Sequence, residues 1–331
     1  MISFEGVTAD DVWVDAIKYF SQGYASEFKS RNGVTKEVLQ ASFTILKPES
    51  RWVFSRLPAL NIAFALVEVI WIMSGRKDSK FINFFNKEYS KYAGARAEYH
   101  GAYGFRLREH FLFDQVEKAY KVLKANHGSR QVVLQIWDSR IDFPSEAGVP
   151  VSDDIPCNIC SLLKVRDNML YWTQVIRSND MFLGVPYNFI QFTLMQEIIA
   201  GWLNLALGSY CQVSDSLHIY ENNYDQIARI SKKEIKYKSD NFMLSKKDFD
   251  TVLKKIENWV DLAISNEKVK HVSSALEKIK LPDSYQDLLY VIACEVFRRR
   301  KSKEYLEKYE KKIVSENLRF LWTNWYGRYS I

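Results

Sequence analysis

A chain of 331 residues, 47% hydrophobic and 15% aromatic, has enough apolar material for a sizeable core, as one large unit or two smaller ones. Four cysteines (Cys157, Cys160, Cys211, Cys294) are too few for a disulfide framework, and no run of eighteen apolar residues could span a bilayer. The net charge of +6 is modest, and the start MISFEGVTADDVW lacks a basic segment followed by an apolar one, so the expectation is a reduced, cytoplasmic protein without a signal peptide or a membrane.

Residues 9–28 read as an amphipathic opening helix, followed by a polar turn at Arg31-Asn32-Gly33 where Gly33 can take a positive φ. A strand is expected over 41–46. Residues 60–73 (LNIAFALVEVIWIM) are almost all apolar and predict a helix buried on most sides, in which Glu68 needs a reason. Helices follow at 78–91 and 111–125, then strands at 131–137, 159–165, 169–176 and 210–214, with a second apolar helix at 188–207. After Asn223 the pattern changes to charged amphipathic helices at 246–266, 284–300 and 302–319. Their basic runs, such as SKKDFDTVLKK and FRRRKSKEYLEKYEKK, are interleaved with acids at helical spacing and read as solvated faces. A nucleic-acid or partner surface is the alternative, and basic charge would also attract an anionic nucleotide.

The chemistry-bearing residues concentrate between 154 and 223. Pro156-Cys157 comes first, then Arg177-Ser178-Asn179-Asp180, then Phe182-Leu183-Gly184-Val185-Pro186-Tyr187-Asn188, then His218-Ile219-Tyr220. A free cysteine is often simple packing. An arginine twenty residues on can lower a thiol pKa and grip a phosphate with two hydrogen bonds. The Gly184-Val185-Pro186 turn would fix Asn188 at a helix start, where its amide offers one donor and one acceptor to a base edge. Cys160 makes Cys-x-x-Cys with Cys157, but no second pair exists for zinc.

That order of motifs resembles thymidylate synthase. Glu68-Val69-Ile70-Trp71, Tyr103-Gly104 with Arg106, Ser129-Arg130 before a strand ending in Trp137, and Arg31-Asn32-Gly33 extend the resemblance over about residues 10–230. It implies an α+β fold, a mixed sheet with a buried central helix, with a catalytic domain over 1–230 and a helical extension over 231–331. It implies folate-dependent C5 alkylation of a pyrimidine nucleotide, most simply dUMP, with 5,10-methylenetetrahydrofolate as cofactor. Cys157 would add to C6 of the base, making C5 nucleophilic. Arg177 and Arg31 would bind the phosphate, with Ser178 adding a hydrogen bond. Arg130 would reach the phosphate of a neighbouring subunit, so a homodimer is expected. His218 and Tyr220 would bind the sugar hydroxyl, and Asn188 would pair with N3 and O4. Glu68 would organise water and proton transfer at O4, and Tyr103 would help remove the C5 proton through water. Asp180 would hold the pterin, and Leu183, Gly184 and Tyr187 would line its pocket.

The sequence departs from that family in four places. Asn158 stands where the family has histidine, and Gln131 where it has a second arginine. Tyr89 and Tyr92 replace two tryptophans that pack near folate. The chain runs 111 residues past Tyr220 (to residue 331), where the family ends in a short apolar tail over folate. The product is a methyl group if hydride reaches the base and a hydroxymethyl group if water does, and a wetter pocket favours water. Two rival readings stay open. One takes dCMP or CMP as substrate, since an asparagine amide can flip. The other is a non-catalytic, nucleotide- or RNA-binding descendant, although the retained Cys157, Glu68, Tyr103 and Arg177 speak against it.

Overall fold

The computed structural model describes residues 1–30, 33–227, 230, 232, 235 and 238–329, with Tyr92 described by its backbone alone. Arg31 and Ile331, and the Tyr92 side chain, lie outside the described residues. A mixed seven-stranded sheet is ordered β1-β3-β7-β6-β5-β4, with β2 paired to β3. The strands are β1 Ile2–Gly6, β2 Ser26–Ser30, β3 Gly33–Ile45, β4 Val133–Gln135, β5 Asn158–Arg166, β6 Met169–Asp180 and β7 Ala206–Tyr220. Pairs β1–β3 and β6–β7 are parallel and the others antiparallel.

Helix α1 (Ala9–Ser21) is capped by Thr8, whose hydroxyl accepts from Asp11 N while Asp11 returns the bond, a capping box. It ends seven residues before the expected 28, because the chain turns at Gly23 (φ 80°) and residues 26–30 pair with β3 instead. Gly33 does take a positive φ, 123°. Helix α2 (Ile62–Met73) is buried at all twelve positions, as its apolar run requires. Its cap, Asn61, accepts from Phe64 N and donates to Phe85 O.

The expected helix over 78–91 is instead two short ones, α3 (Ser79–Asn83) and α4 (Tyr89–Ala93). The turn α5 (Tyr103–Phe105) runs into a π-helical turn, Arg106–His110. Then come α6 (Gln115–Ala125) and the short α7 (Ser139–Asp142). Helix α8 (Val185–Leu203) starts three residues earlier than expected, with Pro186 in its first turn, and ends at Asn204 in the left-handed conformation. It carries the chain from β6 to the parallel β7 and packs on both, α1 packs on β1 and β3, and α2 packs on α8. On the other face Leu162, Tyr171, Thr173, Val175, Cys211 and Val213 are half-buried, the outward set of a period-two alternation.

After the single turn α9 (Tyr224–Ile227), the remaining helices are α10 (Lys246–Ala263), α11 (Val269–Glu277), α12 (Asp283–Arg299), α13 (Lys303–Glu310) and α14 (Glu316–Tyr326). The expected helix over 302–319 is two, broken after Glu310, where Asp287 accepts from Val314 N and Ser315 N. Helices α10, α12 and α14 pack against α2. The junction is pinned by buried Arg51, which pairs with Glu197 of α8, while Glu197 also accepts from Phe242 N at 2.8 Å.

Candidate active site

Cys157 sits one residue before β5 and is half-buried. Arg177, on the neighbouring β6, donates from its main-chain N to Cys157 O at 2.9 Å. Its guanidinium is fixed by Pro156 O at 2.9 Å and Ile155 O at 3.2 Å, lies over the Trp137 ring, and comes within 4.0 Å of Cys157 Sγ. The sequence expectation was a thiol with lowered pKa. The structure corrects it: Arg177 does pull the thiol down, but burial outweighs it and the net direction is up.

Behind the thiol stands a buried polar patch on α2 and α8. Glu68, 6% exposed, is bonded by Gln191 Nε2 and has no cationic partner among the described residues, and burial pushes its carboxyl up to about 8. Gln191 Oε1 meets no donor among the described residues. Asn188 lies one turn before Gln191 on the same face of α8. Its Nδ2 donates to Asn179 Oδ1 at 3.1 Å, and Asn179 Nδ2 donates to Ser214 Oγ at 3.0 Å, so a buried chain of three side chains sets the orientation of the amide. Tyr103 has its hydroxyl raised by burial and by the nearby Cys157 and Glu68. Asn158, beside Tyr103, accepts through Oδ1 from Gln174 Nε2 at 2.9 Å. Gly104 lets this turn abut α2, because a Cβ there would stand 2.5 Å from Ile72 O.

At the other mouth Asp180 ends β6 opposite His218 of β7. Asp180 Oδ1 accepts from Phe182 N at 2.7 Å and Leu183 N at 2.8 Å, which shapes the turn into Gly184. Burial raises the Asp180 carboxyl and lowers the His218 imidazole, while each charge opposes the other's shift. His218 stacks edge-on with Tyr220. Tyr187 accepts from Asn61 N at 3.1 Å and meets Phe64, which meets Tyr89, a run of aromatic rings 5.3 and 5.9 Å apart. Leu183 is 37% exposed beside it. A carboxyl with one oxygen held by main-chain amides and the other bonded by none of the described residues, near an aromatic wall, suits a flat heterocycle with polar edges, as the folate pterin is.

Cys157, Arg177, Ser178, Glu68, Tyr103 and Asn188 are therefore carried by adjoining strands and helices, as are Asp180, His218, Tyr220, Leu183, Gly184, Tyr187 and Tyr89. Arg130 is not among them. Leu163 N bonds Val132 O, and the β4–β5 register carried on sets Arg130 opposite Val165, ~23 Å from the start of β5 at ~3.3 Å per residue. There it is exposed in a separate hollow of about 640 Å³ shared with His127, Arg166 and Asn168. Sequence reasoning missed Asn179, Gln191 and Asp154. The first two stand inside recognised segments, but only the fold reveals their partners. Asp154 belongs to no motif.

The thymidylate synthase family model matches residues 27–272, so the chain belongs to that family. It is 31% identical over 233 residues to the deoxyuridylate hydroxymethyltransferase of Pseudomonas phage M6, covering 70% of this chain and 60% of that protein. It is 30% identical over 200 residues to the protein of the same name in Bacillus phage SP01, covering 57% of this chain and 51% of that one. A thymidylate synthase of Francisella tularensis subsp. holarctica is 28% identical over 178 residues, 51% of this chain and 65% of that protein. The chain thus spans between half and two thirds of the length of these relatives. No helix among the described residues is long and apolar enough to cross a membrane.

Proposed function

We propose that this protein transfers a one-carbon unit to C5 of dUMP and releases the hydroxymethyl nucleotide. The observation that carries the reading is Cys157 Sγ within 4.0 Å of the fixed Arg177 guanidinium, in a cleft backed by Glu68, Tyr103 and Asn188. Two relatives named for deoxyuridylate hydroxymethylation support the substrate and the product. Arg177 binds the phosphate with Ser178, and Arg31 adds a contact. His218 and Tyr220 take the sugar hydroxyl. Asn188 reads the base: its oxygen accepts from N3–H, and the Nδ2 proton not given to Asn179 goes to O4.

Cys157 adds to C6. Glu68, held protonated near neutral pH, donates toward O4 as charge develops there. Tyr103, whose raised pKa keeps it a phenol, relays the C5 proton through water rather than taking it as phenolate. Asp180, Leu183, Gly184, Tyr187, Tyr89 and Tyr92 hold the folate. When bound it supplies the one-carbon unit, and 5,10-methylenetetrahydrofolate is the form the reading assigns. The reading places catalysis in residues 1–230 and makes 231–331 an extension braced on α2. It makes the protein a homodimer through the half-buried sheet face, with Arg130 of each subunit serving the other's phosphate site.

C5-tritiated dUMP and dCMP, each with and without folate, test this by tritium release and product mass. Release from dUMP and a hydroxymethyl product are expected; release from dCMP alone would replace the substrate. Cys157→Ala should abolish release while keeping dUMP affinity within about tenfold, ~1.4 kcal/mol. Turnover surviving in that variant rules out the covalent route.

A further inference from the structure

Asp154 is a half-buried acid that the reaction above does not use. It stands three residues before Cys157 and is held by the main chain: its Oδ2 accepts from Gly101 N at 2.7 Å, and its own N donates to Ser152 Oγ at 3.3 Å. Gly101 makes the approach possible, since a Cβ there would stand 3.0 Å from Asp154 Oδ1. That second oxygen accepts no hydrogen bond from the described residues, and the carboxylate has no salt bridge among them. Asp142, nearby, differs: it is bound by His100 and bidentately by Arg106. A purely structural acceptor for the Gly101 N–H could as well be an asparagine, which carries no charge to bury.

The charge of Asp154 is felt at Cys157, Tyr103, Tyr89 and Tyr99. Glu68 acts on Tyr103 and Tyr89 as well. The Gly101–Asp154 bond ties the segment that ends in Cys157 to the one that leads, two residues on, into Tyr103, so Asp154 stands where the nucleophile and that tyrosine are brought together. Glu68 is the one tied to the base-reading helix by Gln191, and Asp154 lies on the same chain segment as the thiol.

We infer that Asp154 is the general base that directs water onto the one-carbon substituent at C5, and so selects a hydroxymethyl over a methyl product. This rests on the proposed C5 chemistry. With the base held through C6 on Cys157 and carrying an exocyclic C5=CH2, Asp154 Oδ1 takes a proton from water. The water oxygen bonds to the CH2 carbon, and the C=C pair moves into the ring toward O4. That pair then returns to form C5=C6, and the C6–S bond breaks with Sγ leaving as thiolate. The proton ends on Asp154, and no oxidant or reductant is needed. A methyl product would need a hydride instead. In reverse, protonated Asp154 protonates the departing hydroxyl.

The reverse direction gives a folate-free test on the full chain. The protein is incubated with 5-hydroxymethyl-dUMP in ¹⁸O-water, and label in the nucleotide is read by mass. Folate-free tritium loss from C5-tritiated dUMP is read alongside and reports Cys157 addition and C5 proton exchange without the water-addition step. The wild type should do both. Asp154→Asn should lose ¹⁸O exchange by ~100-fold or more, the scale of general-base catalysis, and keep its tritium loss. Asp154→Glu should recover part of the exchange. Unchanged ¹⁸O exchange in Asp154→Asn, or a parallel loss of both signals, overturns the assignment. So does a wild type that loses tritium but exchanges no oxygen, which leaves the nucleotide reading standing. A wild type that does neither also overturns this inference, and tritium release in the presence of folate then decides the nucleotide reading separately.

Discussion

Helices α2 and α8 on one side, and α10 on the other, put the same residue types to opposite uses. All twelve residues of α2 and sixteen of nineteen in α8 are buried. Only six of eighteen are buried in α10, mostly at spacings of three and four, so Lys247, Lys254 and Lys255 stand in water. A charge on α10 needs no explanation, whereas a polar group on α2 or α8 does. Partners then separate structure from chemistry. Glu197 pairs with Arg51 and accepts from the Phe242 amide, so its carboxylate is spoken for. Glu68 has only the Gln191 amide among the described residues. A buried polar group left incomplete marks where a ligand would complete it.

The sharpest way to break that contrast is Glu68→Gln. Tritium release should fall ~10²–10⁴-fold, the scale of a lost general acid. The stability effect should run the other way. Because the folded-state pKa is raised to about 8, the stability given by the protonated form is full below the ordinary carboxylate pKa and is lost as pH rises through 8. The neutral variant should therefore match the wild type in Tm at pH 4 and exceed it at pH 9. Equal melting at both would mean that Glu68 is not a strained buried acid.

Arg51→Met comes next. It leaves Glu197 buried without its cation and should cost ~3–5 kcal/mol in denaturant unfolding. A loss under ~1 kcal/mol would remove the distinction between paired and unpaired carboxylates. Asn188→Asp should shift preference toward dCMP by about tenfold, ~1.4 kcal/mol. It also sets a carboxylate against Asn179 Oδ1, so that amide must turn over and Ser214 must donate. Unchanged preference would put base reading elsewhere. Lys254→Ala and Lys255→Ala on α10 should each change stability by less than ~0.5 kcal/mol and leave tritium release alone. A large effect on release would give the basic face a function.

Much of this was legible in the residues, and the reason is periodicity. Continuous apolar runs announced α2 and α8, and motif order announced Cys157, Arg177, Asp180, Asn188 and His218. Strands β1 and β2 escaped because they are five-residue edge segments, β2 almost wholly exposed, whose pairing with β3 is set by the fold and not by their own pattern. Strand β7 was read as five residues and has fifteen, since Gly208, Gln212, Ser214 and His218 fill inward positions usually taken by apolar groups. Asp154 was invisible because what makes it notable is 53 positions away, at Gly101. The thiol's raised pKa was misjudged because the sequence reports the arginine but not the desolvation.

Gly104 offers a caution for anyone who maps function by mutational tolerance. It carries no chemistry, yet any side chain there would strike the main chain of Ile72 and push Tyr103 off its place. A saturation library scored for activity would find this position as intolerant as the nucleophile, and scored for expression alone it could look ordinary. The divergence between the two scores would mark a spacer whose only duty is to be thin.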